Sequence, residues 1–211
     1  MSETIESGQI VILNGAPRSG KSSIVAVIQE TFDGPWMNLG VDTFKERVAP
    51  QRFSPGIGLR PGGERPDLEP LLTRFYAAMY ESIAAHSRLG LNVVVDVGHH
   101  DAYATSRKIL ADSARRLNGL PVLLVGVRCP ADVIIERRGN TGWDNDSSPE
   151  SVRDRVDRWQ REVHTPGIYD LEVDTSSLSP EECAEVIRRR LEDGPAASAF
   201  QRLAAMSKEL D

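Results

Sequence analysis

An open, doubly wound α/β sheet is the fold that this chain predicts, on three observations. The runs Asn92–Val97 and Pro121–Arg128 are continuously apolar rather than alternating, as suits strands buried on both faces of a parallel sheet. Segments with apolar residues at helical spacing separate these runs from one another. A glycine-bearing loop over residues 15–22 joins the first strand to the first helix. Strand and helix in alternation imply a layered α/β architecture with parallel strands.

The elements follow in order. Gln9–Asn14 is a short apolar run ending at Gly15, hence a buried strand, and Ser22–Thr31 carries Ile24, Val27 and Ile28 at helical spacing. Trp36–Leu39 is the second strand, closed by Gly40, and Asp42 can cap a short helix that stops before Pro50. Residues 50–66 are rich in Pro, Gly and Arg, a long loop of the kind that is functional or disordered. A helix is expected over about Leu68–Arg88, with Leu71, Leu72, Phe75, Met79 and Ile83 on one side. Asn92–Val97 is the third strand, Tyr103–Arg116 a helix, Pro121–Arg128 the fourth strand and Pro130–Arg138 a further helix. After the polar loop 139–148, Pro149 fits the first turn of a helix reaching about His164. Leu171–Val173 is a short fifth strand, and Ser179-x-x-Glu182 is a capping box opening the last long helix. From Gly194 onward the alanine-rich tail reads as a peripheral or frayed helix.

Bulk properties narrow the function. The chain has 211 residues, enough for one domain with a small insertion. A net charge of −6 argues against a nucleic-acid binder, whose surface is usually basic. No apolar run approaches the ~20 residues that a membrane-crossing helix needs, and the N-terminus lacks the basic and apolar regions of a signal peptide. Cys129 and Cys183 stand far apart without a CxxC pairing, so they read as reduced thiols of a cytoplasmic protein.

In a doubly wound sheet the ligand crevice lies beyond the carboxyl ends of the strands. Gly15-Ala16-Pro17-Arg18-Ser19-Gly20-Lys21-Ser22 stands at such an end and completes the GxxxxGK[ST] pattern, with Ser23 following. Glycines let successive backbone N–H groups curl toward phosphate oxygens, and the helix behind adds its positive end. Lys21 reaches the outer phosphates and the Ser22 hydroxyl can ligate Mg²⁺, which points to ATP and Mg²⁺ as cofactors. The bland alternative is a solvated turn with a surface lysine.

Other strand ends carry acids. Asp96 closes the third strand, where a carboxylate can hold magnesium or its waters; alternatively it satisfies local backbone N–H groups. Asp42 follows the second strand and can accept or orient the proton of an acceptor hydroxyl, or serve as a helix cap. His99-His100-Asp101 matches no standard zinc spacing and reads as substrate contact, support for Asp96 or plain loop. Arg137 and Arg138, or Arg153, Arg155 and Arg158 beyond the polar loop, can close on transferring phosphate. They can equally form a charged helix face balanced by Glu136, Asp154 and Asp157.

Residues 10–15 (Ile-Val-Ile-Leu-Asn-Gly), 20–24, 35–42 (Pro-Trp-Met-Asn-Leu-Gly-Val-Asp), 126–129 and 169–175 resemble the chloramphenicol phosphotransferase family. The Trp-to-Asp segment and the Gly-Val-Arg-Cys strand end are the more specific parts. The resemblance implies a P-loop kinase fold of strand order 2-3-1-4-5 with helices on both faces and a helical lid. It implies transfer of the ATP γ-phosphate to a hydroxyl of an antibiotic-like small molecule, with Asp42 as base, Arg137 in the lid and Asp174 and Thr175 near the adenine. Residues 1–193 then form one kinase domain, with a substrate loop over about 50–66 and a lid over about 137–160, and 194–211 is the tail. Pro17, Arg18 and the single strand-end Asp96 depart from that family's pattern. Two alternatives stand beside it. One is a metabolic kinase for a nucleoside, nucleotide or shikimate-like acid, with Arg52, Arg60 and Arg65 able to hold an anionic acceptor. The other is a nucleotide-binding regulatory protein. Association into a homo-oligomer is left open.

Overall fold

The computed structural model describes residues 6–51, 61, 66–139 and 149–206. Strands β1 (Ile10–Asn14), β2 (Trp36–Asn38), β3 (Asn92–Val97), β4 (Val122–Arg128) and β5 (Leu171–Asp174) form one sheet in the order β2-β3-β1-β4-β5. All four pairings are parallel. This is the predicted α/β fold and the strand order implied by the resemblance. β1 is central, with Ile12 opposite Val95 on one side and Leu124 on the other, and each of its residues is buried. That position explains why β1, β3 and β4 lack polar alternation: both of their faces are covered.

The helices are α1 (Lys21–Thr31), α2 (Val41–Arg47), α3 (Glu69–Arg88), α4 (Ile109–Arg116), α5 (Ala131–Gly139), α6 (Pro149–Val163), α7 (Pro180–Glu192) and α8 (Ala199–Met206). The strand period of two sends Ile10, Ile12, Val93, Val95 and Leu124 to one face of the sheet, against Leu72, Met79 and Ile83 of α3 and Phe200 of α8. Val11, Leu13, Val94, Leu123 and Val125 go to the other face, against Ile24 and Ile28 of α1 and Ile187 of α7. Each fully buried Leu, Ile or Met contributes about 1.5–3 kcal/mol relative to exposure. A smaller cluster joins Ala16 of the glycine-bearing loop to Ile134 of α5 and to Val156, Trp159 and Val163 of α6. It docks the α5–α6 pair beside that loop.

Two expectations are corrected. The helix predicted from Tyr103 begins only at Ile109. Asp101 holds the chain before it in a loop: its carboxylate accepts from the Ser106 hydroxyl, from Arg107 N at 2.7 Å and from Lys108 N at 3.0 Å. Lys108 adopts a left-handed φ of 49°, which no helix interior tolerates. Second, Asp42 does not cap α2; Gly40 holds that position, and Asp42 lies in the first turn. The tail, read as a peripheral or frayed helix, is a helix over Ala199–Met206. Asp170 Oδ1 accepts from Ser198 N at 2.7 Å and Ala199 N at 2.9 Å, while Ala199, Phe200 and Leu203 are buried. The capping box of α7 is present as read, with Ser179 and Glu182 exchanging side chain to backbone bonds.

Most of the loop predicted over 50–66, Arg52, Arg60 and Arg65 included, lies outside the described residues, as do 140–148 of the predicted lid. Among the described residues, no helix is long and apolar enough to cross a membrane.

Candidate active site

Residues 15–22 curl between β1 and α1 in a backbone that only some residue types permit. A side chain on Gly15 would meet Val127 O at 2.5 Å, so the loop packs directly on β4 only because that position is bare. Gly20 takes a left-handed φ of 90°. Arg18 does so as well, at 67°, although a side chain there is disfavoured by about 1–2 kcal/mol. Pro17 carries no N–H and contributes no donor to the cradle. Ala16 and Ser19 are wholly buried, so they build the loop rather than line its cavity. The Lys21 ammonium lies across the concavity, donating to the carbonyls of Gly15 and Ala16 at 2.8 Å each. Burial lowers its pKa from 10.5 to about 8, against the opposing pull of Asp96 and Asp42.

This loop forms the middle of a cleft of about 830 Å³. That is within the roughly 300–1,000 Å³ of small-molecule sites. At the carboxyl end of β3, Asp96 is almost fully buried, and its Oδ2 accepts from the Ser22 hydroxyl at 2.7 Å. Hydroxyl and carboxylate thus stand together as an oxygen donor set that suits a hard cation such as Mg²⁺. Among the described residues, no three His, Cys, Asp or Glu side chains cluster as a metal site.

Toward the β2 edge the cleft is lined by Asp42, Lys45, Glu46 and Tyr76. The Asp42 side chain is 65% exposed, and Lys45, one turn on, donates to its Oδ1 at 2.9 Å. Tyr76 is buried but reaches the cleft wall, and burial together with Asp42 pushes its pKa well above the ordinary phenol value, so the hydroxyl keeps its proton. Lys45, Glu46 and Tyr76 were not singled out from the sequence. Lys45 was legible as an i,i+3 partner of Asp42. Tyr76 reads as an ordinary apolar-face residue of α3 and gave no signal.

Toward the β5 edge the lining includes Arg137, Arg138, Trp159, Thr175, Leu178 and Pro180. Arg137 donates to Thr175 O at 2.8 Å and to its hydroxyl at 3.2 Å, and it also reaches Cys129 Sγ at 3.4 Å. The Thr175 hydroxyl in turn donates to Ser19 O at 2.8 Å. Arg138 is buried, with its guanidinium 4.8 Å from the Trp159 ring centroid in a cation–π arrangement. Asp174 turns aside: its Oδ1 accepts from the backbone and hydroxyl of Ser176, and it lines a neighbouring pocket of about 250 Å³ rather than the main cleft. Arg153 pairs with Asp132 and, at 3.8 Å, with Asp157 on its own helix, which is the charged-face reading.

The two histidines point into the packing. His99 Nε2 and the Tyr80 hydroxyl are 2.6 Å apart, and the His99 ring lies against Tyr76. Burial and then His100 lower the His99 pKa to about 3. His100 stacks on Tyr103 with ring centroids 4.4 Å apart. One hub escaped the sequence reading. Asn14, immediately before the 15–22 loop, donates to Val163 O at 2.7 Å and Tyr169 Oη at 2.9 Å, and accepts from His99 N at 2.8 Å. It ties the ends of β1 and β3 to the C-terminus of α6. A polar residue closing an apolar strand was the available signal.

The chain is similar to known proteins in sequence and in fold. The family described as chloramphenicol phosphotransferase-like protein matches residues 8–192. A protein of Mycobacterium tuberculosis named as an O-phosphotransferase is 27% identical over 93% of this chain and 88% of its own length. A solved structure of a protein described as a kinase, from Chloroflexus aurantiacus, superposes with a TM-score of 0.61 at 16% identity, covering 90% of this chain and 100% of its own. Shikimate kinase from Aquifex aeolicus superposes with a TM-score of 0.53 at 17% identity, covering 87% and 96%. At these identities the two structures bear on the fold alone.

Proposed function

The chain belongs to the chloramphenicol phosphotransferase-like family and is a phosphotransferase acting on an alcohol group, and we propose that it moves the γ-phosphate of ATP to a hydroxyl of a small, antibiotic-like acceptor. The observation that carries this is the single cleft in which the phosphate loop separates the exposed Asp42 carboxylate from the Arg137–Thr175 end.

The division of labour follows from the side chains. The first N–H groups of α1, at Lys21 and Ser22, lie at the positive end of the helix and meet the phosphates in this reading, while Ser19 N is used within the loop on Ala16 O, and the Lys21 ammonium neutralises the outer phosphate charge. Ser22 and Asp96 are the residues that would hold magnesium, which when bound offsets phosphate charge. Asp42, held by Lys45 and open to the cleft, accepts the proton of the acceptor hydroxyl as its oxygen attacks phosphorus, and ADP leaves. Arg137 presents its guanidinium at the nucleotide end, where the charge of the transition state is shared. Thr175 with Leu178 and Pro180 flanks the space for the base, and Asp174 fixes the turn through Ser176. Residues 1–193 make up the catalytic domain in this reading.

The test is ADP release with ATP and Mg²⁺ across chloramphenicol, other hydroxylated antibiotics, nucleosides and shikimate-like acids. A strong response to a neutral antibiotic is expected, and Asp42→Asn should then lower kcat by about 10²–10⁴ with ATP binding retained. Turnover only on nucleosides or anionic metabolites would replace the acceptor class. Near-normal transfer by Asp42→Asn would remove Asp42 as the base.

A further inference from the structure

We infer that Gly40 is a positioning residue, whose missing side chain sets where the Asp96 carboxylate stands beside Ser22. The inference rests on the proposed magnesium role of Asp96. A Cβ placed on Gly40 would lie 1.8 Å from Asp96 Oδ1 and 3.0 Å from its Cγ, far inside van der Waals contact. Asp96 could not give way without losing its place, because its other oxygen accepts from Ser22 at 2.7 Å and the residue is almost fully buried at the end of a central-region strand.

Backbone freedom does not explain the glycine. Gly40 has φ −61° and ψ 157°, which every residue type adopts. Asn38 fixes its place, with Oδ1 accepting from Gly40 N at 2.9 Å and standing 3.2 Å from where the added Cβ would lie. The bare Cα is thereby pressed against one carboxylate oxygen while Ser22 holds the second. Two residues on, α2 carries Asp42 into the cleft. One close approach therefore relates the magnesium-side acid to the helix that bears the acceptor-side acid. An alanine can satisfy the backbone but must push Asp96 away from Ser22 or displace the start of α2.

The experiment is binding of a fluorescent ATP analogue to the full chain, in MgCl₂ and in EDTA, for wild type, Gly40→Ala, Asp96→Ala and the double variant. Gly40→Ala is expected to weaken binding in MgCl₂ by about 10–100-fold, the usual cost of disturbing a residue that supports a metal ligand, with EDTA binding unchanged. In the Asp96→Ala background the same substitution should cost little further, since the oxygen that it strikes hardest is gone and only the 3.2 Å approach to Asn38 Oδ1 is left. Alanine at a helix cap also weakens the helix, but that loss would persist in the double variant. Equal losses with and without Mg²⁺, an undiminished loss beside Asp96→Ala, or wild-type behaviour of Gly40→Ala would each overturn the inference. Should Gly40→Ala fail to fold, recovery of folding in the double variant supports the contact and continued failure overturns it. If Asp96→Ala itself keeps the full Mg²⁺ enhancement, the magnesium role of Asp96 falls first and this inference with it.

Discussion

Arg137 and Thr175 are joined twice, through the Thr175 carbonyl at 2.8 Å and its hydroxyl at 3.2 Å, and the same hydroxyl donates to Ser19 O in the 15–22 loop. The end of α5, the residue after β5 and the 15–22 loop thus form one hydrogen-bonded unit at the β5 end of the cleft. Arg137 is held there by contacts with its own fold.

Removing either partner should separate two roles. Arg137→Ala deletes the charge and is expected to lower kcat by about 10²–10³, as for loss of one donor to transition-state charge. Thr175→Val keeps the arginine and its carbonyl contact but deletes the bond to Ser19 O. Its net cost is about 1 kcal/mol, so a roughly fivefold rise in the KM for ATP with little change in kcat is expected. Steady-state kinetics on both variants check this, and equal kcat losses would contradict the division.

Lys21 predicts two pH effects of opposite sign. Its folded pKa of about 8 lies below the ordinary 10.5, with burial the main cause. Between those values the unfolded chain holds a proton that the native chain has lost, so its contribution to stability rises with pH across that window. Nucleotide affinity should move the other way. Above pH 8 the free protein loses the ammonium that meets phosphate, and affinity should fall by up to about tenfold per pH unit. Fluorescent-nucleotide titrations and denaturant melts from pH 7 to 10 measure both, and Lys21→Met should flatten each curve.

The parts legible in the sequence were those with a local cause. Continuous runs such as Val93–Val95 announce a two-sided strand, and residues 15–22 announce a phosphate loop because glycine and lysine recur at fixed spacing for a chemical reason. Asp42, Asp96 and Arg137 stood out by their places at the ends of elements, and all three line the cleft. What escaped depended on distant partners. The stretch 103–108 has helical composition, but Asp101 captures its N–H groups and Lys108 turns left-handed. Asn14 and Gly40 act through residues about 60 to 155 positions away. Their neighbours in space, Tyr169 and Asp96, are set by the strand order, which no local pattern encodes.

Two buried histidines should make the fold sensitive to mild acid. Burial and then the neighbouring charge lower His99 to about 3 and His164 to about 4, the latter beside Arg128. Below pH 6.5 the unfolded chain takes up protons that the native chain refuses, so unfolding is favoured as pH falls toward those values. Each histidine contributes up to about 1.4 kcal/mol per pH unit across its window. Urea melts should show the unfolding free energy declining from pH 6.5 to 5, and His164→Gln should reduce that slope by about half. A flat profile would mean that both rings gain protons in the folded state.

The docking of α8 should depend on Asp170, although that residue belongs to neither the helix nor the cleft. Its Oδ1 accepts from Ser198 N and Ala199 N, and its Oδ2 accepts from Leu124 N at 3.0 Å on β4. One carboxylate therefore satisfies the start of α8 and anchors it to the sheet, where Phe200 and Leu203 are buried against the α3–α4 side. Asp170→Ala leaves those N–H groups without their acceptor and is expected to destabilise the protein by about 1–3 kcal/mol. Phe200→Ala removes the apolar anchor and is expected to cost about 3–5 kcal/mol. Because the two act on one helix, the double variant should lose less than the sum. Denaturant unfolding of the four proteins measures the coupling. Strict additivity would show that Asp170 stabilises the sheet edge alone and that α8 stays docked without it.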